Sequence, residues 1–348
     1  MPLIAKMLAL MGLMAAGGTS SGPLPSAVRG AVPGFSGQIL VADRTHILFD
    51  ERLGTAPHSA IWPWGSVSKQ VTAALVMMEV DRGRLSLDDR IIDRLPDFPN
   101  ADTGRATIRQ LLQHMSGLPN SNDMPGNPPG TAFYTRRGAG VGGRADAYGF
   151  CAGPGKPPSG TQFSYNNCDT IVIGAILERV SDLPFATLLA RRVRRPLHMA
   201  SLHMARPFEL PVPGRSQGRP VPRENLATYG PAGAMIGSAR DLVAFDRALI
   251  DDRLLSRGAR TVLWQGDPKI GYGALGAWSF PARLAGCKGD VRLIERRGSV
   301  GGVQARNIIA PDLGRMVVAF TDDADYDFGE IWQGRGAAYR LLSAALCT

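Results

Sequence analysis

Ser66 and Lys69 stand three residues apart in Trp64-Gly-Ser-Val-Ser-Lys-Gln, a spacing that puts a hydroxyl and an amine one turn apart if the stretch is helical. The following residues predict a helix: Val67, Val71, Ala74 and Met78 recur on one face up to about Gly83, and Gly65 and Ser66 sit at its start. A hydroxyl is a weak nucleophile until a neighbouring base removes its proton, and Lys69 is spaced to be that base. Its ammonium would face the positive end of the helix dipole and, if buried, would be pushed toward the neutral amine. The Ser66 N–H, with no acceptor inside the helix, is available to a developing oxyanion. The same residues also read as a serine N-cap followed by a solvated lysine.

The chain must be able to build a pocket around this pair, and its size and composition allow it. Its 348 residues, 44% hydrophobic, suffice for about two domains with a sizeable core. Residues 1–21 carry one charge, Lys6, then the apolar run Met7 to Ala16 and small residues, and read as a secretory signal peptide. No later stretch approaches the roughly 18 apolar residues of a spanning helix. Four cysteines, Cys151, Cys168, Cys287 and Cys347, show no C-x-x-C and no histidines at zinc spacing. In an oxidising compartment they are expected as two disulfides. Three pairings are possible, and Cys151 with Cys168 and Cys287 with Cys347 is preferred because the first two share a segment. A periplasmic or secreted location follows from both features.

The formal net charge is +9, and removing the leader with Lys6 leaves +8. A basic surface suits an anionic envelope or a carboxylate-bearing substrate. Arg191, Arg192, Arg194 and Arg195 concentrate some of that charge, but no aromatic stacking pattern accompanies them, so they read as a solvated helix face and not as a nucleic-acid site. A monomer acting on a small-molecule or peptide substrate is expected.

In chain order, Gln38 to Ala42 and His46 to Asp50 read as a β-hairpin around Asp43-Arg44-Thr45. Thr107 to His114 is amphipathic and stops at Ser116-Gly-Leu-Pro119. Residues 119 to about 160 are rich in Gly, Pro and Asn, as in an active-site lid or an insertion. Helices are expected from Cys168 to about Val193, broken near Asp182-Leu-Pro184, from Ala239 to Leu249 behind a Ser238 N-cap, and from Gly336 to Ala345. Strands are expected at Gly273–Phe280, Val291–Arg296, Gln304–Ala310 and Met316–Thr321. This order predicts an α/β (α+β) fold, an antiparallel sheet flanked by helices, with 22–84 and 228–348 forming the sheet domain and 85–227 an inserted helical domain with long loops.

Further along, Ser164-Tyr165-Asn166-Asn167 gives Tyr-x-Asn ahead of the helix starting at Cys168. With Ser66-Val-Ser-Lys69, Leu111-Leu-Gln-His-Met-Ser-Gly-Leu-Pro119 and Pro231-Ala-Gly-Ala-Met235, the chain resembles the serine β-lactamase and penicillin-binding-protein superfamily. The nearest branch holds class C β-lactamases, DD-peptidases and related esterases. The resemblance covers nearly all of residues 35–345 and implies a β-lactamase/transpeptidase-like fold and an acyl-enzyme hydrolase without a cofactor. It implies Ser66 as nucleophile, Lys69 and Tyr165 sharing general acid–base work, Asn167 binding the substrate amide, and the N–H groups of Ser66 and Gly302 forming the oxyanion hole. Tyr165 also reads as a half-buried aromatic and Asn167 as a helix N-cap.

The family's third motif, Lys or His, one residue, then Gly, is placed at Ser299-Val300-Gly301-Gly302, which makes Ser299, Gly301 and Gly302 candidate substrate-binding residues. Ser299 stands there without a charge. Arg296 or Arg297 is the alternative source of a cation, and otherwise both are solvated. The substrate is left open between β-lactam, D-alanyl peptide and short-chain ester, with a non-catalytic peptidoglycan-peptide binder as the reading from another class.

Other chemistries find less support. His46, His58, His114, His198 and His203 accompany no G-x-S-x-G elbow, and His114 reads as packing or capping a helix end. No His and carboxylate cluster suggests a metal. Asp323-x-Asp325-x-Asp327 starts like a calcium loop, but Phe328 and Gly334 hold the positions of its glycine and bidentate glutamate. Gly138-x-Gly-x-x-Gly143 and Gly271-x-Gly-x-x-Gly276 match a dinucleotide fingerprint without the preceding strand.

Overall fold

The structure, a computed structural model, describes residues 23–56, 61–120, 144–153 and 162–347. The leader, the Gly138–Gly143 stretch and most of the 119–160 loop lie outside the described residues.

Six strands form one antiparallel sheet: β1 (Gly37–Asp43), β2 (Ile47–Leu53), β3 (Trp278–Arg283), β4 (Asp290–Val300), β5 (Val303–Ala310) and β6 (Arg315–Thr321), in the order β2-β1-β6-β5-β4-β3. The β1–β2 hairpin turns at Asp43, whose carboxylate accepts from the N–H groups of Thr45 and His46, both at 2.7 Å. Strand β3 starts later than the alternation suggests, because Ala274 N–H closes a turn onto the Ala277 carbonyl at 2.8 Å. Both faces of the sheet are covered. Strands β1 and β6 are buried along nearly their whole length, as apolar runs without alternation imply.

Helices α1 (Pro23–Ala31) and α8 (Ala337–Leu346) pack on one face, over Ile39, Val317 and Leu293. On the other lie α2 (Ser68–Asp81), α3 (Ile108–Leu112), α4 (Arg144–Cys151), α5 (Cys168–Ser181), α6 (Ala239–Ile250) and α7 (Arg257–Leu263). One core runs from Leu40 and Phe320 of the sheet through Val71 and Leu75 of α2 to Ile173 of α5. Each such buried side chain contributes about 1.5–3 kcal/mol.

Helix α2 departs from the one-face reading, since every residue from Ser68 to Glu79 is buried. Two of its polar residues are satisfied inside: Thr72 Oγ1 donates to the Pro231 carbonyl at 2.9 Å, and Ser68 Oγ accepts from Met235 N–H at 3.2 Å. A central helix with partners on every side loses its polar stripe.

Disulfides join Cys151 to Cys168 and Cys287 to Cys347. The first ties α4 to the N-terminus of α5, and the second ties the β3–β4 connection to the end of α8. No helix among the described residues is long and apolar enough to cross a membrane. Asp325 accepts from Ser216 Oγ and Gln217 N–H, and Asp327 from Gly329 N–H, so that acidic loop is held by hydrogen bonds.

Candidate active site

The nucleophile turn is built from the backbone outward. Gly65–Val67 forms a single 3₁₀ turn ahead of α2, so Ser66 precedes the α-helix proper. Gly65 adopts φ +52°, and a Cβ there would lie 3.0 Å from Ser299 N and 3.2 Å from Val300 Cγ1. Glycine therefore lets the Ser66 turn press against the end of β4.

Lys69, 1% exposed, points back at that turn. Its ammonium donates to Ser66 Oγ at 3.1 Å, Asn167 Oδ1 at 2.5 Å and the Ala232 carbonyl at 2.8 Å. These three acceptors match its three N–H bonds. Tyr165 OH donates to Ser66 Oγ at 2.7 Å, and Arg296 Nη2 donates to Tyr165 OH at 2.8 Å. Arg296 Nε also reaches the Ser66 carbonyl at 2.8 Å. The guanidinium is buried between the rings of Tyr165, 5.2 Å away, and Trp278, 5.1 Å away.

Electrostatics set the proton positions. Burial lowers the Lys69 pKa to about 8, with the Arg296 charge acting in the same direction against the favourable Tyr165 contact. Burial would raise Tyr165, but the charges of Arg296 and Lys69, with hydrogen bonds to Ser66 and Lys69, outweigh it and bring the phenol down to about 8. Tyr165 keeps 37% of its surface exposed, while its hydroxyl end is enclosed by Ser66 and Arg296. Two groups able to accept the Ser66 proton near neutral pH thus flank one hydroxyl.

The Tyr165 loop is held from behind. Asn166 Oδ1 caps α5 by accepting from Asp169 N–H at 2.9 Å, the role sequence suggested for Asn167. Asn167 spends its oxygen on Lys69, leaving its amide nitrogen for a substrate carbonyl. His114 Nδ1 lies 2.8 Å from Asp169 Oδ2, Ser116 Oγ donates to Asp169 Oδ1, and the His114 ring packs edge-on against Tyr165 at 4.5 Å. Burial drives His114 well below its ordinary range and Asp169 well above its own. His114 thus packs, as expected, and what it packs is the phenol.

The β4 end requires a correction. Gly301 and Gly302, with φ of +58° and +76°, are the two-residue turn between β4 and β5. They abut Leu210, Gly214 and Val221, and do not line the cavity beside Ser66. Across that turn Val300 opposes Val303, so alternation along the strand sends the Ser299 N–H away from β5. Pairing with β3 stops at Trp278–Glu295, which leaves the edge from Arg296 to Val300 open next to Ser66. The structure thus brings Ser299 N, and not Gly302 N, to the nucleophile turn. The basic-x-Gly pattern sits three residues earlier than the sequence placement, at Arg296-Arg297-Gly298. A Cβ on Gly298 would fall 2.2 Å from the Trp64 carbonyl, so that position needs glycine. The cation thought missing is Arg296.

A cavity of about 470 Å³ opens along this edge, lined by Ser66, Tyr165, Asn167, Trp278, Ser299 and neighbouring residues. The Beta-lactamase family model matches residues 23–335. The chain belongs to that family. Penicillin-binding protein 4 of Amycolatopsis lactamdurans is 30% identical over 240 residues, 64% of this chain and 60% of that protein. The chain thus spans under two thirds of the length of the curated relatives it matches. Among solved structures, the D-amino acid amidase of Ochrobactrum anthropi SV3 superposes with TM-score 0.73 at 19% identity, covering 93% of this chain and 99% of that one. The D-stereospecific amidohydrolase of a Streptomyces species gives 0.72 at 22%, covering 92% and 98%.

In this Beta-lactamase family member, sequence reasoning missed three contributors. The Ala232 carbonyl, in the quoted Pro231–Met235 motif, anchors Lys69. Asp169 holds His114 and Ser116 behind Tyr165, and its only signal was a carboxylate at the first turn of an otherwise apolar helix. Trp278, stacked on Arg296, carried no signal at all.

Proposed function

We propose that this chain is a serine hydrolase that cleaves amide or ester bonds through an acyl-enzyme on Ser66. The observation that carries the reading is the chain of contacts Lys69–Ser66–Tyr165–Arg296, with Ser66 Oγ 3.1 Å from the amine and 2.7 Å from the phenol. Ser66 Oγ bonds to the substrate carbonyl carbon as its proton passes to the Tyr165 oxygen, Lys69 and Arg296 stabilising the charge. The N–H groups of Ser66 and Ser299 receive the oxyanion, an arrangement of the kind whose single donors contribute about 10²–10³ in kcat. Collapse breaks the C–N or C–O bond, and Tyr165 returns the proton to the leaving group. Water then repeats the sequence and releases the acid.

Asn167 orients the acyl amide. Arg296 serves through Tyr165: at 1% exposure and sandwiched by two rings, it is poorly presented to a substrate carboxylate. Arg297 is bound by Glu295 and Glu330. The site therefore favours amides and esters that lack a carboxylate, such as the D-amino acid amides named for one structural neighbour, over carboxylate-dependent β-lactams. The same observation favours a short-chain carboxylesterase as the second reading. Two disulfides support an exported protein.

The test is intact-mass spectrometry of the purified protein with a penicillin, a D-amino acid amide and a short-chain ester, with peptide mapping of any adduct. Acylation of Ser66 with release of amine or alcohol supports the reading. No adduct and no product with any of the three would assign the chain to the non-catalytic binders.

A further inference from the structure

A second cavity, also of about 470 Å³, adjoins the first and shares Trp278 and Arg297 with it. Its walls are aromatic: Tyr272, Trp278, Phe280 and Trp332, with Phe280 and Trp332 edge-to-face at 6.3 Å. Trp332 is 64% exposed, the most exposed large apolar side chain among the described residues, and Tyr272 is 38% exposed. Tyr272 also holds φ +64°, a left-handed backbone rare for an aromatic residue. It is fixed there by its N–H to the Asp267 carbonyl at 2.8 Å and its carbonyl to Ser279 N–H at 3.0 Å. Strain of this kind, turning an aromatic ring toward an open cavity, is a pointer to ligand contact.

The floor is electrically balanced. Its two charged lining residues, Glu295 and Arg297, pair with each other, and Glu330 and Arg306 outside the lining complete a network of two cations and two carboxylates. Its side relative to the chemistry follows from the contacts. Tyr165 returns the proton to the departing atom, Arg296 lies beyond Tyr165, and Trp278 lies against Arg296 and rims this second cavity.

Resting on the serine-hydrolase reading, we propose that this cavity is a leaving-group subsite for an uncharged aromatic alcohol or amine. The partner chemistry follows from charged groups already paired with one another and four aromatic walls, which stack an aromatic ring, leave a carboxylate unmatched, and have the Trp332 face already taken by the Arg297 cation.

The experiment compares hydrolysis of ethyl and 2-phenylethyl butyrate, which share one acyl-enzyme and have alcohols of similar acidity. The parent should prefer the phenylethyl ester in kcat/KM by about tenfold or more. Trp332→Ala combined with Tyr272→Asn, a residue that tolerates the left-handed backbone, should bring that ratio to near one while ethyl ester turnover stays unchanged. A parent without preference, an unchanged ratio in the variant, or equal loss on both esters would overturn the subsite. So would turnover of neither ester while Ser66 still takes a fluorophosphonate adduct. Absence of that adduct would instead overturn the nucleophile assignment, and the subsite with it.

Discussion

Replacing Arg296 by Gln removes a charge while leaving an amide able to reach the phenol. Arg296 is the largest of the influences that lower Tyr165, and it lowers Lys69 as well. Both groups sit near about 8 in the parent, so the rising limb of kcat/KM should have an apparent pKa close to 8. A neighbouring unlike charge is worth about one to three pH units to an acid; with Lys69 and its hydrogen bonds still lowering the phenol, the limb in Arg296→Gln should move up by about one to two. At pH 7 a base with pKa 8 is about 9% deprotonated, against about 1% at pKa 9 and about 0.1% at pKa 10. The variant should therefore be about 9-fold to about 90-fold slower at pH 7 and recover most of that loss at pH 10. The assay is the pH dependence of Ser66 acylation from pH 6 to 10.5. Arg296→Lys keeps the charge and should keep the limb near 8, with a lower plateau because a point ammonium does not span the Ser66 carbonyl and the phenol together. A loss in Arg296→Gln that is equal at every pH would refute the electrostatic role and leave Arg296 as a brace for the Ser66 turn.

Ser66→Ala should show no acyl adduct by mass while its thermal unfolding stays within about 0.5 kcal/mol of the parent, as for a substitution outside the core; any residual adduct would reassign the nucleophile. Asp246, fully buried on α6 against Asn307, has its pKa raised to about 8 by burial, the Asn307 hydrogen bond opposing. Its contribution to stability is therefore present below the ordinary carboxylate range and lost as pH climbs toward 8, so Asp246→Asn should stabilise by up to about 4 kcal/mol at pH 7 and by little at pH 3.5. Urea unfolding at the two pH values checks it, and parity at pH 7 would mean that Asp246 is ionised. Removing the Cys287–Cys347 bridge, which closes a 60-residue separation, should cost about 4 kcal/mol by chain entropy, read as a fall in the urea midpoint with a steeper slope, because the unbridged denatured chain exposes more surface.

What the sequence disclosed was local. Ser66 on the 3₁₀ turn and Lys69 at the start of α2 are paired by spacing alone, whereas Tyr165 and Asn167 come from the family resemblance. Asn166, not Asn167, caps the helix, because consecutive asparagines give the same signal. The burial of α2 on every side was not visible in its one apolar face, because the partners of Ser68 and Thr72, Met235 and Pro231, lie more than 150 residues away. Val300-Gly-Gly-Val303 did carry a legible message, a two-residue hairpin turn, and giving Gly302 an oxyanion role set that message aside.

Three adjacent charges, Glu295, Arg296 and Arg297, could not be sorted without register. A one-residue slip of β4 would exchange their faces. The register is set by the Gly301-Gly302 turn and by Gly298, where only a glycine lets the Trp64 carbonyl approach. With it fixed, Arg296 faces the helices and joins Tyr165, while Glu295 and Arg297 face the other way and neutralise each other. The same register opens the strand edge at Ser299 and ends β3 pairing at Trp278, where the second cavity begins. Polarisation of the phenol, placement of an oxyanion donor and the aromatic wall thus depend on one strand alignment. A substitution at Gly298 should accordingly disturb all three together, since the clash it creates is with the Trp64 backbone that leads into the nucleophile turn.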